Sequence, residues 1–461
     1  VSEPPATGPD ERPGGHLDAA AVAGSAPGPH LTVRGFWRAL PRPGRWLLST
    51  TAVSTLGRGM TLPFTVIYLH EVRGVDLDVA GLLMGLIAAV ALVVTAPVGI
   101  LTDRLGARPV VVAGLLAQVL GAAVLAFATT MPAFVTAVTL LGVSFGVGWP
   151  AFNAMIAGLV EGRLRTQYFG VNFALVNLGI GVGGVLSGFL TDVQRPGTFT
   201  AIFLADAVCV LVPVAVLLGP LRHVASRPPP DPGGGSGGTG SYLVVLRRPA
   251  VWWVTALTFL SSFVGYGQME AGFPAFARQV SEVSTRTIGF AFAANTAVIV
   301  LLQFLVLRRI DGRRRTRVFL VLVALWALAW SLLGATGLVA GTAAAAVGVV
   351  VFHVVFGLGE TLLQPTVPAI VNDLADDRDR GRYNAVSAMA FQVGAVTAPV
   401  AAGALLERHL GGVFVAVLLG CLVGVALLAL ALERTVTPEV NGVHGPPPVV
   451  GSAAGEGPHD A

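Results

Sequence analysis

Between Trp46 and Leu432 the chain is a succession of apolar runs, each about twenty residues or longer, separated by short connections that hold most of the charge. A helix rises about 1.5 Å per residue, so each run can cross the roughly 30 Å of a bilayer's hydrocarbon. The runs fall at 46–69, 79–101, 109–129, 132–160, 167–190 and 198–219, and then at 250–275, 285–307, 318–338, 342–371, 383–405 and 411–432. With no water at that depth, each run must satisfy its backbone polar groups internally, which selects helices. The sequence therefore predicts an all-α membrane protein of twelve transmembrane helices in two six-helix bundles.

The segments outside these runs have nothing to bury. Residues 1–43 are rich in Pro, Gly and Ala and read as a disordered tail ending in a basic collar that begins at Arg34 and Arg38. They lack the basic-then-apolar order of a cleaved signal peptide. Residues 44–219 make the first bundle and 249–435 the second. Between them, residues 220–248 contain Pro228-Pro-Pro and Gly233-Gly-Gly-Ser-Gly-Gly, a flexible linker composition. Residues 436–461 read as a second disordered tail.

Positive charge assigns the sides, because Arg and Lys are retained in the cytoplasm. With both termini cytoplasmic, the loops and tails on that side hold 23 of the 29 arginines and the other side holds five. Arg58, inside the first run, is the remaining one. The halves also echo one another. Gln167-Tyr168 and Asn177-Leu-Gly179 return as Arg382-Tyr383 and Gln392-Val-Gly394; Gly146-Val-Gly148 returns as Gly357-Leu-Gly359, and Gly106-Ala-Arg108 as Gly312-Arg-Arg314. This is a duplicated six-helix unit in parallel repeat.

Composition also excludes chemistry. All 29 basic residues are Arg, so a Walker A loop, which needs Lys to reach nucleotide phosphates, is absent. The net charge of +4 is spread among loops rather than gathered on a nucleic-acid module; even the run Arg308, Arg309, Arg313, Arg314, Arg315, Arg317 reads as a membrane-surface anchor. Cys209 and Cys421 lie far apart inside apolar runs and form neither a disulfide framework nor a zinc site. No metal site and no cofactor is expected.

The second and third runs are joined by Gly99-Ile-Leu-Thr-Asp-Arg-Leu-Gly-Ala-Arg108, a charged hairpin turn at a membrane surface. It resembles the loop 2–3 signature of the major facilitator superfamily of secondary transporters, G-x-L-x-D-R-x-G-R-[RK]. Gly99, Asp103, Arg104, Gly106 and Arg108 are kept, with Ala107 where a basic residue is usual. The resemblance implies a substrate site near the midplane between the halves and a gate in which Asp103 contacts the start of span 11, near Arg382 and Tyr383. In span 5, Gly179-x-x-x-Gly183-Gly184-x-x-Ser187-Gly188 resembles the antiporter signature of the family's exporters, G-x-x-x-G-P-x-x-G-G, without its central Pro. Pro399 holds the equivalent place in repeat-related span 11. The Arg near the start of span 4 that many of the family's proton antiporters carry is missing here.

Ionisable and polar residues inside the runs are the candidates for substrate and proton handling. Arg58 lies about 18 Å into span 1, too deep to face lipid, and anchors substrate, tunes a proton carrier or forms a structural ion pair. In span 10, His353, Glu360 and Gln364 share one helical face. Glu360 is either a proton carrier or an ionised partner of an Arg, and His353 either a relay or a hydrogen-bonded core histidine. Gly265-Tyr-Gly-Gln-Met-Glu270-Ala-Gly-Phe-Pro274 predicts a broken span 7, with Tyr266 and Gln268 as polar wall and Glu270 near the outer surface, in the path or simply solvated. Asn153 and Asn177 complete the pathway. Asp206 reads as a satisfied carboxylate near the outer interface.

The expected activity is proton-coupled efflux of small lipophilic or drug-like molecules by a monomer in the plasma membrane, with no bond made or broken. A metabolite or sugar importer of the same fold is the alternative, and a non-transporting receptor or scaffold is the alternative of another class.

Overall fold

A computed structural model describes residues 33–157, 159–160, 162–223, 249–310, 312–363, 365–374 and 380–443. The described residues divide into two compact units, the first ending at Leu40 and the second beginning at Pro41. In the first, Val33–Ala39, which hold the first arginines of the expected collar, form a short helix, α1. The second unit contains α2 (Arg42–Thr61), α3 (Leu77–Leu105), α4 (Ala107–Phe127), α5 (Met131–Ala157), α6 (Gly162–Leu190) and α7 (Pro196–Leu218). It continues with α8 (Pro249–Val264), α9 (Tyr266–Met269), α10 (Gly272–Gln279), α11 (Thr285–Ile310), α12 (Arg315–Thr336), α13 (Ala343–Leu363), α14 (Val367–Leu374), α15 (Arg380–Glu407) and α16 (Gly411–Thr435). Most of the linker, residues 224–248, and the tail from 444 lie outside the described residues.

Eleven of these helical segments are long and apolar enough to cross a membrane. The first expected span is not among them, and it is not one helix. Its α2 carries Ser49, Thr50, Thr51, Ser54, Thr55 and Arg58, and it is followed by a turn at Leu62 to Phe64, a short helix Thr65–Ile67 and a π-helical stretch Tyr68–Val72. The hydroxyls of α2 do not stand unpaired. Thr50 donates to Leu47 O at 2.8 Å, Ser54 to Thr51 O at 3.1 Å and Thr55 to Thr51 O at 2.7 Å, so the helix satisfies its own polar groups. Span 7 is likewise interrupted, at Gly265 and again at Glu270 and Ala271.

The helix pairings repeat. In the first half α2 packs on α6 and α7, α3 on α5, and α4 on α5 and α7; in the second, α8 packs on α15 and α16, α11 on α13, and α12 on α13 and α16. Those are the same neighbours at a six-helix offset. Two pairs close the seam between halves, α3 with α15 and α6 with α11, and they too are exchanged by the repeat. The hinge-like turns match as well, with Gly106 at φ +90° and Gly312 at φ +69°, in the left-handed region that glycine occupies without strain.

Small residues set how close these helices come. A Cβ on Gly183 would lie 2.2 Å from Leu56 O and one on Gly59 would lie 2.4 Å from Ile180 O, so α6 and α2 meet backbone to backbone. Across the seam, a Cβ on Gly81 would lie 2.4 Å from Pro399 O, on Gly403 2.4 Å from Leu77 O, and on Gly289 2.5 Å from Gly184 O. These seam contacts cluster toward the face opposite the linker. The start of the expected C-terminal tail is also packed rather than loose: Asn441 is buried, and its Oδ1 accepts from Thr316 N at 3.0 Å and Thr316 Oγ1 at 3.1 Å.

Gly183→Val is expected to lower the melting temperature of the detergent-solubilised protein by the equivalent of about 1–3 kcal/mol, because neither backbone can retreat. Gly170→Ala, with nothing within 4 Å of its added Cβ, should leave it unchanged.

Candidate functional site

The charged centre of the molecule is built on α2. Arg58 reaches across the seam from the first half, and its Nη2 donates to Glu270 Oε1 at 3.2 Å, where Glu270 sits in the turn between α9 and α10. Its guanidinium also lies 3.9 Å from the centroid of the Phe145 ring on α5, a second stabilisation for a cation removed from water. The break in span 7 is what delivers Glu270. Gly265 leaves the helical conformation after α8, at φ −104° and ψ −107°, and only a glycine fits there because a Cβ would lie 2.4 Å from the Trp326 ring; the Trp330 indole donates to Val264 O at 3.0 Å at the break itself. Glu270 is thus an ion-pair partner, its side chain 35% exposed.

Beside the pair lies a cavity of about 50 Å³, or about 550 Å³ with the open space at its mouth. Its polar lining comprises Arg58, Thr61, Thr65, Gln118, Ser144, Asp206 and Glu270. Asp206, expected at the outer interface, is instead only 3% exposed in the cavity wall. Its helix begins at Pro196, so ten residues place it nearly three turns in. Gln118 Nε2 lies 3.5 Å from Asp206 Oδ1, and Ser144 Oγ donates to Gln118 Oε1 at 3.3 Å. Gly57 makes room for that carboxylate, since a Cβ there would lie 2.7 Å from Asp206 Oδ1. Gln118, Ser144 and Phe145 were missed by sequence reasoning because each alone is an ordinary residue in an apolar helix.

Other expected site residues lie elsewhere. Glu360 does not meet Arg58; it accepts from Asn295 Nδ2 at 3.2 Å and hydrogen-bonds Tyr266. A Cβ on the neighbouring Gly359 would lie 2.5 Å from Trp326 Cδ1, so that ring packs against both Gly359 and the break at Gly265. This makes a second polar cluster, within the second half. His353 is buried among Phe273, Phe292 and Phe352, with ring centroids 4.2, 4.8 and 5.0 Å away, and neither ring nitrogen has a hydrogen-bond partner among the described residues. Among the described residues it is enclosed by aromatic rings rather than hydrogen-bonded. Gln268 is buried and its Nε2 lies 3.5 Å from Ala398 O. Asn177 bonds Phe173 O of its own helix, while its backbone oxygen accepts from Thr296 Oγ1 across the seam at 3.2 Å. Asn153 is half-buried on α5 and does not line the cavity. Gln364 lies outside the described residues.

The α6 glycines serve two partners. Gly179 and Gly183 lie against α2, whereas Gly184 and Gly188 face Gly289 and Arg286 of α11. In the α3–α4 turn, Arg108 donates to Leu221 O at 3.2 Å and to Arg222 O. Arg104 is exposed beside Gly106. The surroundings of Gly99 and the side chain of Asp103 are outside the described set.

A second ion pair joins the halves on the face opposite the linker. Arg278 Nε and Nη2 donate to the two carboxylate oxygens of Glu71 at 2.7 and 2.5 Å, a bidentate clamp. Hydrogen bonding to Glu71 holds the Arg278 guanidinium above its ordinary pKa. His70 Nε2 meets Gln279 Nε2 at 2.9 Å beside it, and Glu407 accepts from Leu77 N at 2.7 Å.

The sequence profile of the Major Facilitator Superfamily matches residues 47–352 and 287–454. The chain belongs to that superfamily. It is a member of a family of transporters and not of enzymes. Among similar proteins of the superfamily is YdeE of Escherichia coli K12, an uncharacterized MFS-type transporter, 23% identical over 78% of this chain and 88% of its own. The multidrug resistance protein MdtH of Aeromonas salmonicida is 24% identical over 79% of this chain and 88% of its own. A crystal structure of a peptide transporter POT in complex with sulfate superposes with a TM-score of 0.71 at 14% identity, covering 90% of this chain and 99% of that one, which is a likeness of fold. As a superfamily member with its apolar helices, the chain is a multi-pass membrane protein that carries a small-molecule substrate.

The Glu71 and Arg278 clamp is tested by a double-mutant cycle. Glu71→Gln and Arg278→Gln should each destabilise the purified protein, and their combined loss should fall short of the sum by about 1 kcal/mol. Strict additivity would remove the clamp as an energetic link between halves.

Proposed function

We propose that this superfamily member is a monomeric twelve-helix exporter of small lipophilic or drug-like molecules, coupled to proton entry, with both termini on the cytoplasmic face of the plasma membrane. Counted this way, α2 with its continuation through Val72 is the first span, its polarity reflecting the path it lines. The carrying observation is the Arg58–Glu270 pair, a charge contact spanning both halves at the edge of a polar cavity. Rocking of one bundle against the other must break or carry that pair, so anything that changes charge there biases the transition.

The tight seam on the face opposite the linker supports a state closed to that side, leaving the cavity to be reached from the other. The arginine bias assigns the linker side to the cytoplasm. Efflux is favoured by the name of MdtH and by a shorter match, 27% identical over 34% of this chain, to the class C tetracycline resistance protein of E. coli. Three carboxylates are available to hold a proton: Glu270, Asp206 and, in the second cluster, Glu360. One proton entering per neutral substrate expelled, at about 150 mV, supplies roughly 3.5 kcal/mol, enough for a gradient of roughly 300-fold.

Everted vesicles carrying the parent should accumulate lipophilic compounds from a panel when energised and release them on adding a protonophore. Glu360→Gln, Glu270→Gln and Arg58→Ala should each cut the coupled rate at least about tenfold, a change of about 1.4 kcal/mol, with insertion unchanged. An undiminished rate in Glu360→Gln would remove that residue from the mechanism, and a parent with no proton-dependent flux across the panel would sink the exporter reading.

A further inference from the structure

We infer that residues 436–443 form a strap that caps α12 from outside its own sequence and, through a short chain of polar contacts, steadies the start of the seam helix α15. Helix α12 has no means of its own to satisfy its first turn. Its N-cap is Arg314, whose side chain makes no capping bond, and the first turn holds no acidic residue. Arg315 and Arg317 instead set positive charge against the positive end of the helix. Asn441, 125 residues after Thr316, makes up what is missing. Its backbone oxygen accepts from Arg315 N at 2.8 Å and its Oδ1 from Thr316 N at 3.0 Å, pairing two of the N–H groups that a helix start leaves open. Thr316 is 1% exposed and Asn441 4%, so the Thr316 amide has no water to turn to.

The strap is shaped for this contact. Asn441 N donates to Thr437 O at 3.0 Å and Val443 N to Pro438 O at 2.9 Å, which closes the segment on itself. Gly442 sits at φ +85°, and a Cβ there would lie 3.1 Å from Arg315 Cγ, so a glycine lets the strap lie against that side chain. Arg315 in turn donates to Val440 O at 2.8 Å. The first half holds its own exit segment at the matching place, with Arg108 donating to Leu221 O at 3.2 Å.

From Arg315 the contacts run on toward the seam. The same Nη1 donates to Asp373 Oδ2 of α14 at 2.5 Å, and the adjacent Asn372 Oδ1 accepts from Asn384 Nδ2 of α15 at 2.8 Å. Helix α14 also packs on α8 and α15, and α15 meets α3 across the seam. The Asp373 carboxylate is 45% exposed, so its pair with Arg315 is weak by itself and depends on Val440 O holding the guanidinium in place. Glu433, near the end of α16, takes Arg314 and Arg317 at 3.0 and 2.9 Å, which leaves Arg315 to join the strap to α14. A half that rocks as one body needs its ends held to each other, and the strap supplies that hold where an uncapped α12 would fray. It acts in the same way whatever the cargo and whichever direction the cargo takes.

Hydrogen–deuterium exchange of the purified full-length protein, read by mass spectrometry, tests the strap. Asn441→Leu should speed exchange roughly tenfold at the start of α12, as for a lost cap, and about threefold in α14 and the first turns of α15, as for a lost exposed pair. Asn441→Asp keeps an acceptor for Thr316 N and should hold parental rates at all three places, which separates capping from a general folding defect. Asp373→Ala should loosen α14 and the start of α15 while leaving α12 and the strap as in the parent. Because that variant keeps the cap, the link to the seam stays testable even where Asn441→Leu cannot be purified. Parental rates at α12 in Asn441→Leu, faster exchange confined to α12 in that variant, or an unchanged α15 in Asp373→Ala would each overturn the inference.

Discussion

A guanidinium held away from bulk water is the constraint around which this molecule is arranged. Arg58 lies in the last turn of α2, in the wall of the cavity, and an unpaired charge there would cost several kcal/mol. The structure meets that cost from three directions. Phe145 covers one face of the guanidinium, Glu270 supplies the counter-charge from the other half, and Asp206 adds field from α7. Only the Glu270 contact requires the two halves to be brought together. A charge imbalance within the first bundle is thereby turned into a link between bundles.

That link works because the helices come unusually close. Gly57, Gly59, Gly179 and Gly183 remove the side chains that would hold α2 away from α6 and α7, and the space between Gly57 and α7 is filled by the Asp206 carboxylate. In the second half the same logic is carried by a large residue. Trp326 packs against Gly265 and Gly359, donates to Phe356 O at 3.1 Å and stacks on the Phe356 ring. It thereby secures the break that presents Tyr266 to Glu360 and, five residues on from Gly265, Glu270 to Arg58. Packing in lipid has little hydrophobic drive, so close backbone approach and interhelical hydrogen bonds do more of this positioning.

Much of this was legible beforehand, and the limits have physical causes. Arg58 and Glu270 stood out because an ionisable group inside an apolar run is expensive wherever it points. The break in span 7 followed from its Gly and Pro density. Glu360 was also visible, but its neighbours were not: pairing it with Arg58 fails because Asn295 and Tyr266, polar residues of no special note in the sequence, reach it first. Asp206 was misread because depth along a helix does not say which way a side chain turns, and α7 presents it to Gly57 and Gln118 inside the first half. His353 shows the converse error, since a titratable residue on a candidate face turned out to be enclosed by phenylalanine rings.

What the linear chain determined by itself was the set of apolar lengths, the arginine bias, the internal repeat and the superfamily, because each is a local or periodic property that the bilayer reads segment by segment. What only the tertiary structure decided was which carboxylate faces which cation and on whose side of the seam the cavity falls. Fourteen of its fifteen lining residues come from the first half, with Glu270 alone from the second. Those outcomes depend on the rotation of each helix about its own axis and on Cβ-scale gaps between backbones, and a few tens of degrees or one methyl group is enough to change the partner.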